Sequence, residues 1–322
     1  MPSCGRVLTP VLFSVILVSA GPAQGQAYPT RPIRFVSMGL AGGGTDFAAR
    51  LIAPELTRAL GQTVVVDNRA GEIVPAETVA KSAPDGYTIL MNGSSLLFLP
   101  LMRENVPYDV VKSFAPITLA HQSPTVLAVH PQFSAKSVPE LIAVAKARPG
   151  DLNFGSAGTG SSTHLAAQLF KSMAGINVVH IPFKGSSASL TALMGNHVQY
   201  MFCTPGSVAP LITSGRLRAL AVTTLKPSAL FPALPTVAAS GLPGYEMVST
   251  NGVLAPAGTP PSIINRLNRE IVQIIQKKQS REAFFNAGNE VIGSTPEEFA
   301  RTIKSELAKW GKIIKDAGIK AD

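Results

Sequence analysis

The chain has 322 residues, 46% of them hydrophobic, a formal charge of +9 and two cysteines. That length suits about two domains of ordinary size, and the positive charge favours anionic ligands or surfaces, weakly once salt screens it. The basic residues are scattered and aromatic residues make up only 6%, which argues against the clustered, aromatic-interleaved surface of a nucleic-acid binder.

At the start, Arg6 precedes the apolar run "VLTPVLFSVILVSA" and the small, polar "GPAQGQA". Residues 1–27 read as a secretory signal peptide, cut after Ala27 or Ala23, and the apolar run is too short for the roughly 20 residues of a spanning helix. Cys4 lacks the apolar residues that a lipoprotein signal places before it. Cleavage leaves a soluble chain of charge +8 destined for the periplasm, with Cys203 as its single cysteine. No internal disulfide is then possible, so the fold must rest on its core.

Beyond that point short β-branched runs alternate with helical patterns, the signature of βαβ units and parallel sheets. Strand "IRFVS" (33–37) leads to a helix from Thr45 to Leu60 closed by Gly61, strand "TVVVD" (63–67), a helix near 76–81, and strand "YTILMN" (87–92). Pro54 falls inside the first helix, where a kink or a cost of about 3 kcal/mol is expected. A second series opens with strand "TVLAVH" (125–130) and a helix whose Ser137 and Glu140 form a capping box. A short strand at 152–154, a helix at 161–173, strand "VVHIPF", a helix at 187–194, strand "VQYMF", a helix at 207–213 and strand "LRALAV" follow. The proline- and glycine-dense stretch from Leu230 to Pro261, carrying the strand-like "EMVSTNGVL", fits a return crossing. Then come a helix at 261–276, the basic cluster "QKKQSR" (276–281), read as a solvated helical face, and a last helix opened by Thr295, Pro296 and Glu298. Phe299, Ile303, Leu307, Trp310 and Ile314 share one buried face of it. The expected organisation is residues 28–121 with 252–322 as one α/β domain and 122–251 as the second.

The first candidate site is the loop "GLAGGGTD" between the first strand and first helix, where open parallel sheets bind ligands. It lacks the Gly-Lys-Ser/Thr of a phosphate loop, and Phe47 stands where the dinucleotide fingerprint needs glycine. Met38, Gly39, Leu40, Gly42, Gly43, Gly44, Thr45 and Asp46 are its candidate ligand-binding positions, with Thr45 or Asp46 also expected to cap the helix. The second is "GSAGTGSSTH", whose Ser156, Ala157, Gly158, Thr159, Ser161, Ser162 and His164 form a donor-rich helix start suited to a carboxylate. Phe154 occupies the first glycine position of a nucleophile elbow around Ser156, so an exported serine hydrolase using Ser156 or Ser162 with His164 is the competing, less favoured reading. Asn92 and Ser94 after the third strand, and Thr204 in "CTPGS", complete the set. The five histidines stand singly without ligand spacing, so no metal and no cofactor are expected. Several neutral, donor-rich loops at strand ends describe a cleft that binds a small molecule without transforming it.

Many ordered blocks, among them "GGGTD", "LGQTVVVDNR", "APDGYTIL", "LNFGSAGTGSSTHLAAQLFKSMAG", "HIPFKGS", "GRLRALAVTT" and "LAPAGTPP", make the chain resemble the extracytoplasmic solute receptors of tripartite tricarboxylate transporters, the Bug or TctC-type proteins. The resemblance implies a two-domain periplasmic binding protein, type II-like, a non-enzyme that closes on a carboxylated solute and passes it transiently to membrane permease subunits, acting as a monomer. A sensor that hands the ligand to a signalling partner uses the same closed form. The resemblance places the ligand between Met38 to Asp46 and Ser156 to Ser162. Two departures stand out: "SMGLA" replaces a Pro-rich lead into the triple glycine, and "AGEIVP" (70–75) replaces a longer Gly-rich segment and adds Glu72.

Overall fold

The computed structural model describes residues 1, 28–38, 41, 43–69, 71, 73–316 and 318–320. The expected signal peptide, the site positions Gly39, Leu40 and Gly42, and Glu72 lie outside the described residues. Among those described, no helix is long and apolar enough to cross a membrane.

The first α/β run comprises β1 (Ile33–Met38), α1 (Gly44–Leu60), β2 (Val64–Arg69), α2 (Ile73–Ala80), β3 (Thr88–Asn92), α3 (Ser95–Met102) and β4 (Phe114–Pro124). The second comprises β5 (Val126–Val129), α4 (Val138–Ala147), β6 (Asn153–Ser156), α5 (Ser162–Ala174), β7 (Val179–Pro182), α6 (Ser186–Met194), β8 (Tyr200–Cys203), α7 (Pro205–Thr213) and β9 (Arg218–Val222). The chain returns along β10 (Val248–Pro256) and ends with α8 (Pro261–Gln276), α9 (Lys278–Asn286), β11 (Glu290–Val291) and α10 (Pro296–Asp316). Four elements without a sequence-level expectation, α3, β4, α9 and β11, all belong to the first sheet or pack on it.

Two sheets result, ordered β11-β4-β10-β3-β1-β2 and β7-β6-β8-β5-β9. Each has a parallel trio with its first strand in the middle, β2-β1-β3 and β7-β6-β8, followed by an antiparallel strand, β10 or β5, and a strand antiparallel to that. The two lobes therefore share one internal topology. In both, the chain leaves the central strand to one side and returns on the other, which opens a crevice at that strand's carboxyl end. Those ends are Met38 and Ser156.

The crossing strands β4 and β10 pair along their whole length, Phe114 with Pro256 through Pro124 with Val248. The boundaries expected at 121/122 and 251/252 fall inside these strands, and the second sheet begins at Val126. At the crossing, the Thr223 hydroxyl accepts the Thr125 N–H at 2.7 Å and donates to the Met247 carbonyl at 2.6 Å, tying both connections together.

Strand alternation divides the core. Ile33 and Phe35 face α1 and α8, meeting Ile52, Leu56, Leu267 and Ile271. Val36 and Met38 face the opposite layer of α2, α3 and α10, which is continuous with the packing of the second lobe around Phe154 and Phe170. The last helix buries Phe299, Ile303, Trp310 and Ile314 as its spacing predicts, with Leu307 partly buried. Its capping box forms, Thr295 N–H to Glu298 Oε2 at 2.9 Å and Glu298 N–H to Thr295 Oγ1 at 3.2 Å. Pro54 does not end α1. It lies on the exposed side, where the Arg50 carbonyl left without an N–H partner can face water, while Ala49, Ile52, Ala53 and Leu56 hold the other side in the core.

Candidate ligand-binding site

The first jaw is the turn from β1 into α1. The helix is capped by Gly43, with no side-chain cap bond, which corrects the expectation that Thr45 or Asp46 caps it. Thr45 instead donates its hydroxyl to the Met38 carbonyl, bracing the end of β1 against the helix start. Asp46 sits in the first turn, 3% exposed, where its charge complements the helix dipole, and it pairs with Arg50 at 2.8 Å. Its side chain is 5% exposed, and it lines neither of the cavities between the jaws. Beside this turn, the fully buried Asn92 carboxamide accepts the Gly252 N–H at 2.9 Å and donates to the Gly93 carbonyl at 3.1 Å. The Ser94 and Ser249 hydroxyls lie 2.6 Å apart. The loop after β3 is so fastened to the returning strand β10.

The second jaw is the turn from β6 into α5. Ser161 is the N-cap: its hydroxyl accepts the His164 N–H at 3.3 Å and donates to the Gly158 carbonyl at 2.7 Å. Thr163 Oγ1 accepts the Ala157 N–H at 2.9 Å. Gly160 has φ +80°, a conformation that favours glycine, and a Cβ there would meet the Met102 methyl of α3, in the other lobe, at 3.0 Å, so that flexible side chain would have to give way. Beneath the turn three rings stack, His164 on His180 with centroids 4.0 Å apart and His180 on Phe154 at 4.8 Å. Burial, with the neighbouring His180, pushes His164 down to about 3, and burial, with Lys171, pushes His180 down to about 4. Both rings are therefore neutral at pH 7. Gly160 N–H donates to His164 Nδ1 at 3.1 Å, so the ring proton is on Nε2, 3.1 Å from the end of the Gln168 side chain, and this tautomer requires the amide to be turned with its oxygen toward the ring.

Between the jaws lie two adjoining cavities. The outer, about 350 Å³, is lined by Met38, Gly43, Gly44, Thr45, Gly93, Ser94, Ser95, Gly160, Ser161 and Ser162, with Ser249 and Asn251. The inner, about 280 Å³, shares Gly44, Ser162, Ser249 and Asn251 and extends to His121, Ser123, Thr125, Thr204 and Asn289. Among the described residues, no Asp, Glu, Lys or Arg lines either. The starts of α1, α3 and α5 all meet the outer cavity, so an anion there faces three helix N-termini. Each contributes about 0.3–1 kcal/mol when exposed and up to ~2 when partly buried.

Of the sequence-predicted positions, Met38, Gly43, Gly44, Thr45, Ser94, Ser161, Ser162 and Thr204 line these cavities. Asn92, Ser156 and His164 are buried behind them. Ala157 and Gly158 are half-buried and Thr159 is exposed, and none of these three is among the lining residues. Ser249, Asn251, His121, Ser123 and Asn289 were missed. They reach the cleft on the crossing strands and the turn before β11, and no local motif marks them.

The hydrolase arrangement does not assemble. Ser156 is fully buried and its hydroxyl lies 2.7 Å from His180 Nε2, not against His164, whose nitrogens are engaged by Gly160 and Gln168.

The model of the tripartite tricarboxylate transporter family receptor matches residues 48–319. The chain belongs to this family. Among relatives of the receptor, Protein BugT of Bordetella pertussis is 38% identical over 94% of each chain. A solved structure titled R. palustris Rpa4515 with adipate is 35% identical, covers 91% of this receptor and 99% of that chain, and superposes with a TM-score of 0.78. MatC (Rpa3494) from Rhodopseudomonas palustris with bound malate is 27% identical over 89% of this receptor and all of that chain, with a TM-score of 0.73. The receptor is a TctC-type periplasmic binding protein with the family's two-domain fold, and its relatives are solute receptors rather than enzymes.

Proposed function

We propose that the mature receptor works in the periplasm, closes its two lobes on a small carboxylate and delivers it to the membrane permease of a tripartite transporter. The observation that carries the reading is the convergence of the α1, α3 and α5 starts on one cavity lined by neutral donors. Gly43, Gly44 and Thr45 grip the ligand from one lobe, and Ser161 and Ser162 from the other. Such a grip is reversible: it stabilises an anion through dipoles and N–H groups without the strong ion pair that would slow release. The adipate and malate named with two similar structures support a carboxylate of comparable size.

The test is a thermal-shift titration of the purified receptor with mono-, di- and tricarboxylates, adipate and malate included. A ligand at 100 times its Kd is expected to add about 2.7 kcal/mol of stability. No rise in Tm with any carboxylate overturns the reading. Delivery is tested by reconstituting uptake in vesicles carrying the permease, where omission of the receptor should abolish it.

A further inference from the structure

The inner cavity differs from the outer one in what it offers. The hydroxyls that it does not share with the outer cavity are already engaged: Ser123 donates to the Gly288 carbonyl at 2.9 Å, Thr125 lies 3.2 Å from the Thr223 hydroxyl, and Thr204 lies 2.8 Å from the Ser207 hydroxyl. The start of α7 is weakened as a donor because Pro205, its first residue, has no N–H. His121 is different. Its ring is 1% exposed, lines the cavity, and packs on Phe284 with centroids 4.9 Å apart. Neither ring nitrogen makes a hydrogen bond of normal geometry within the described residues, and the Asn289 side chain beside it only partly favours the charged ring.

A buried polar side chain without a partner is costly and uncommon, and needs a reason. Burial holds this histidine well below its ordinary range, at about 4, so at pH 7 it offers one N–H donor and one lone pair. A second ionised carboxylate placed here would find no cation to offset its desolvation. An uncharged group that both donates and accepts matches what the ring presents, while the Asn289 amide N–H already donates to the Ala287 carbonyl at 3.2 Å.

We infer that the inner cavity is a specificity subsite, in which His121 selects ligands whose far end is an uncharged donor–acceptor group, a carboxamide or hydroxyl, over a second carboxylate. This rests on the carboxylate reading of the outer cavity.

The test uses ligands matched in length: adipate, its monoamide and hexanoate, with succinate, its monoamide and butanoate as the shorter set, titrated calorimetrically into the full receptor. The expected result is that the monoamide of the better-fitting length binds at least tenfold tighter than both the dicarboxylate and the plain acid. His121→Phe should remove that preference, the monoamide losing at least tenfold in affinity relative to hexanoate or butanoate measured on the same variant. His121→Gln, which keeps a donor and an acceptor, should retain it. A wild-type receptor that binds the dicarboxylate as tightly as the monoamide overturns the inference and leaves the carboxylate reading standing. An unchanged preference in His121→Phe, or its loss in a folded His121→Gln, overturns the role of His121. Binding of none of the six compounds overturns both readings.

Discussion

Asn92 Oδ1 accepts the backbone N–H of Gly252 at 2.9 Å, joining the end of β3 to the bulge of β10 with both residues sealed from solvent. The same carboxamide holds the Gly93 carbonyl, so one side chain orients the loop that brings Ser94 and Ser95 to the cleft. Gly252 has no alternative, because a Cβ there would lie 2.4 Å from the Phe299 ring and 2.6 Å from the Thr118 carbonyl.

Asn92→Ala is expected to leave the Gly252 N–H buried and unpaired, at a cost of about 1–3 kcal/mol. Urea denaturation should show a lower midpoint with an unchanged slope. Ligand affinity should fall as well, because the α3 start loses its anchor. A variant as stable as the wild type would show that the bond carries no weight.

Ser161→Ala removes the cap of α5 and the tie to Gly158 together. A lost N-cap costs about 0.5–2 kcal/mol. Because the same helix start faces the ligand, carboxylate Kd should rise more than for an equally destabilising change remote from the cleft. Calorimetric titration of Ser161→Ala beside Ser137→Ala, the corresponding cap on α4, makes that comparison.

Gly160→Ala places a Cβ at φ +80° against Met102 of the opposite lobe. The left-handed backbone costs about 1–2 kcal/mol for a residue with a side chain, and the contact falls where the lobes meet. The double variant Gly160→Ala, Met102→Ala should recover the part of the affinity lost to the clash but not the part lost to the backbone. Titrations of the two variants separate them.

Acid should weaken the fold before the ordinary carboxylates titrate. His121 and His164 have folded-state pKa values near 4 and 3, below the unfolded value of 6.5. Between these limits the unfolded chain binds the protons and the folded one does not, so stability is lost as pH falls below about 6.5. Each of these two buried rings should cost about 1–2 kcal/mol between pH 6.5 and 5, with the half-buried His180 adding less. Denaturation midpoints at pH 7 and 5 should differ less in His164→Gln than in the wild type; an equal difference would show that His164 does not carry this dependence.

Local patterns were enough for the alternation of strands and helices, the two glycine- and serine-rich turns, the Thr295 capping box and the Trp310 face. These depend on residues a few positions apart, whose periodicity and hydrogen bonds are settled within a turn or a strand. Such patterns also placed Gly43 to Thr45 and Ser161 to Ser162 at strand ends, where sheet topology puts ligands. Tertiary structure decided the rest. Asp46 went to Arg50 instead of capping its helix, and Ser156 went to His180 beneath the cleft, because burial requires each polar group to find a partner that sequence proximity does not name. His121, Ser249, Asn251 and Asn289 come to the cleft only because β4 and β10 pair across more than a hundred residues of intervening chain and carry the two lobes to either side of one cavity.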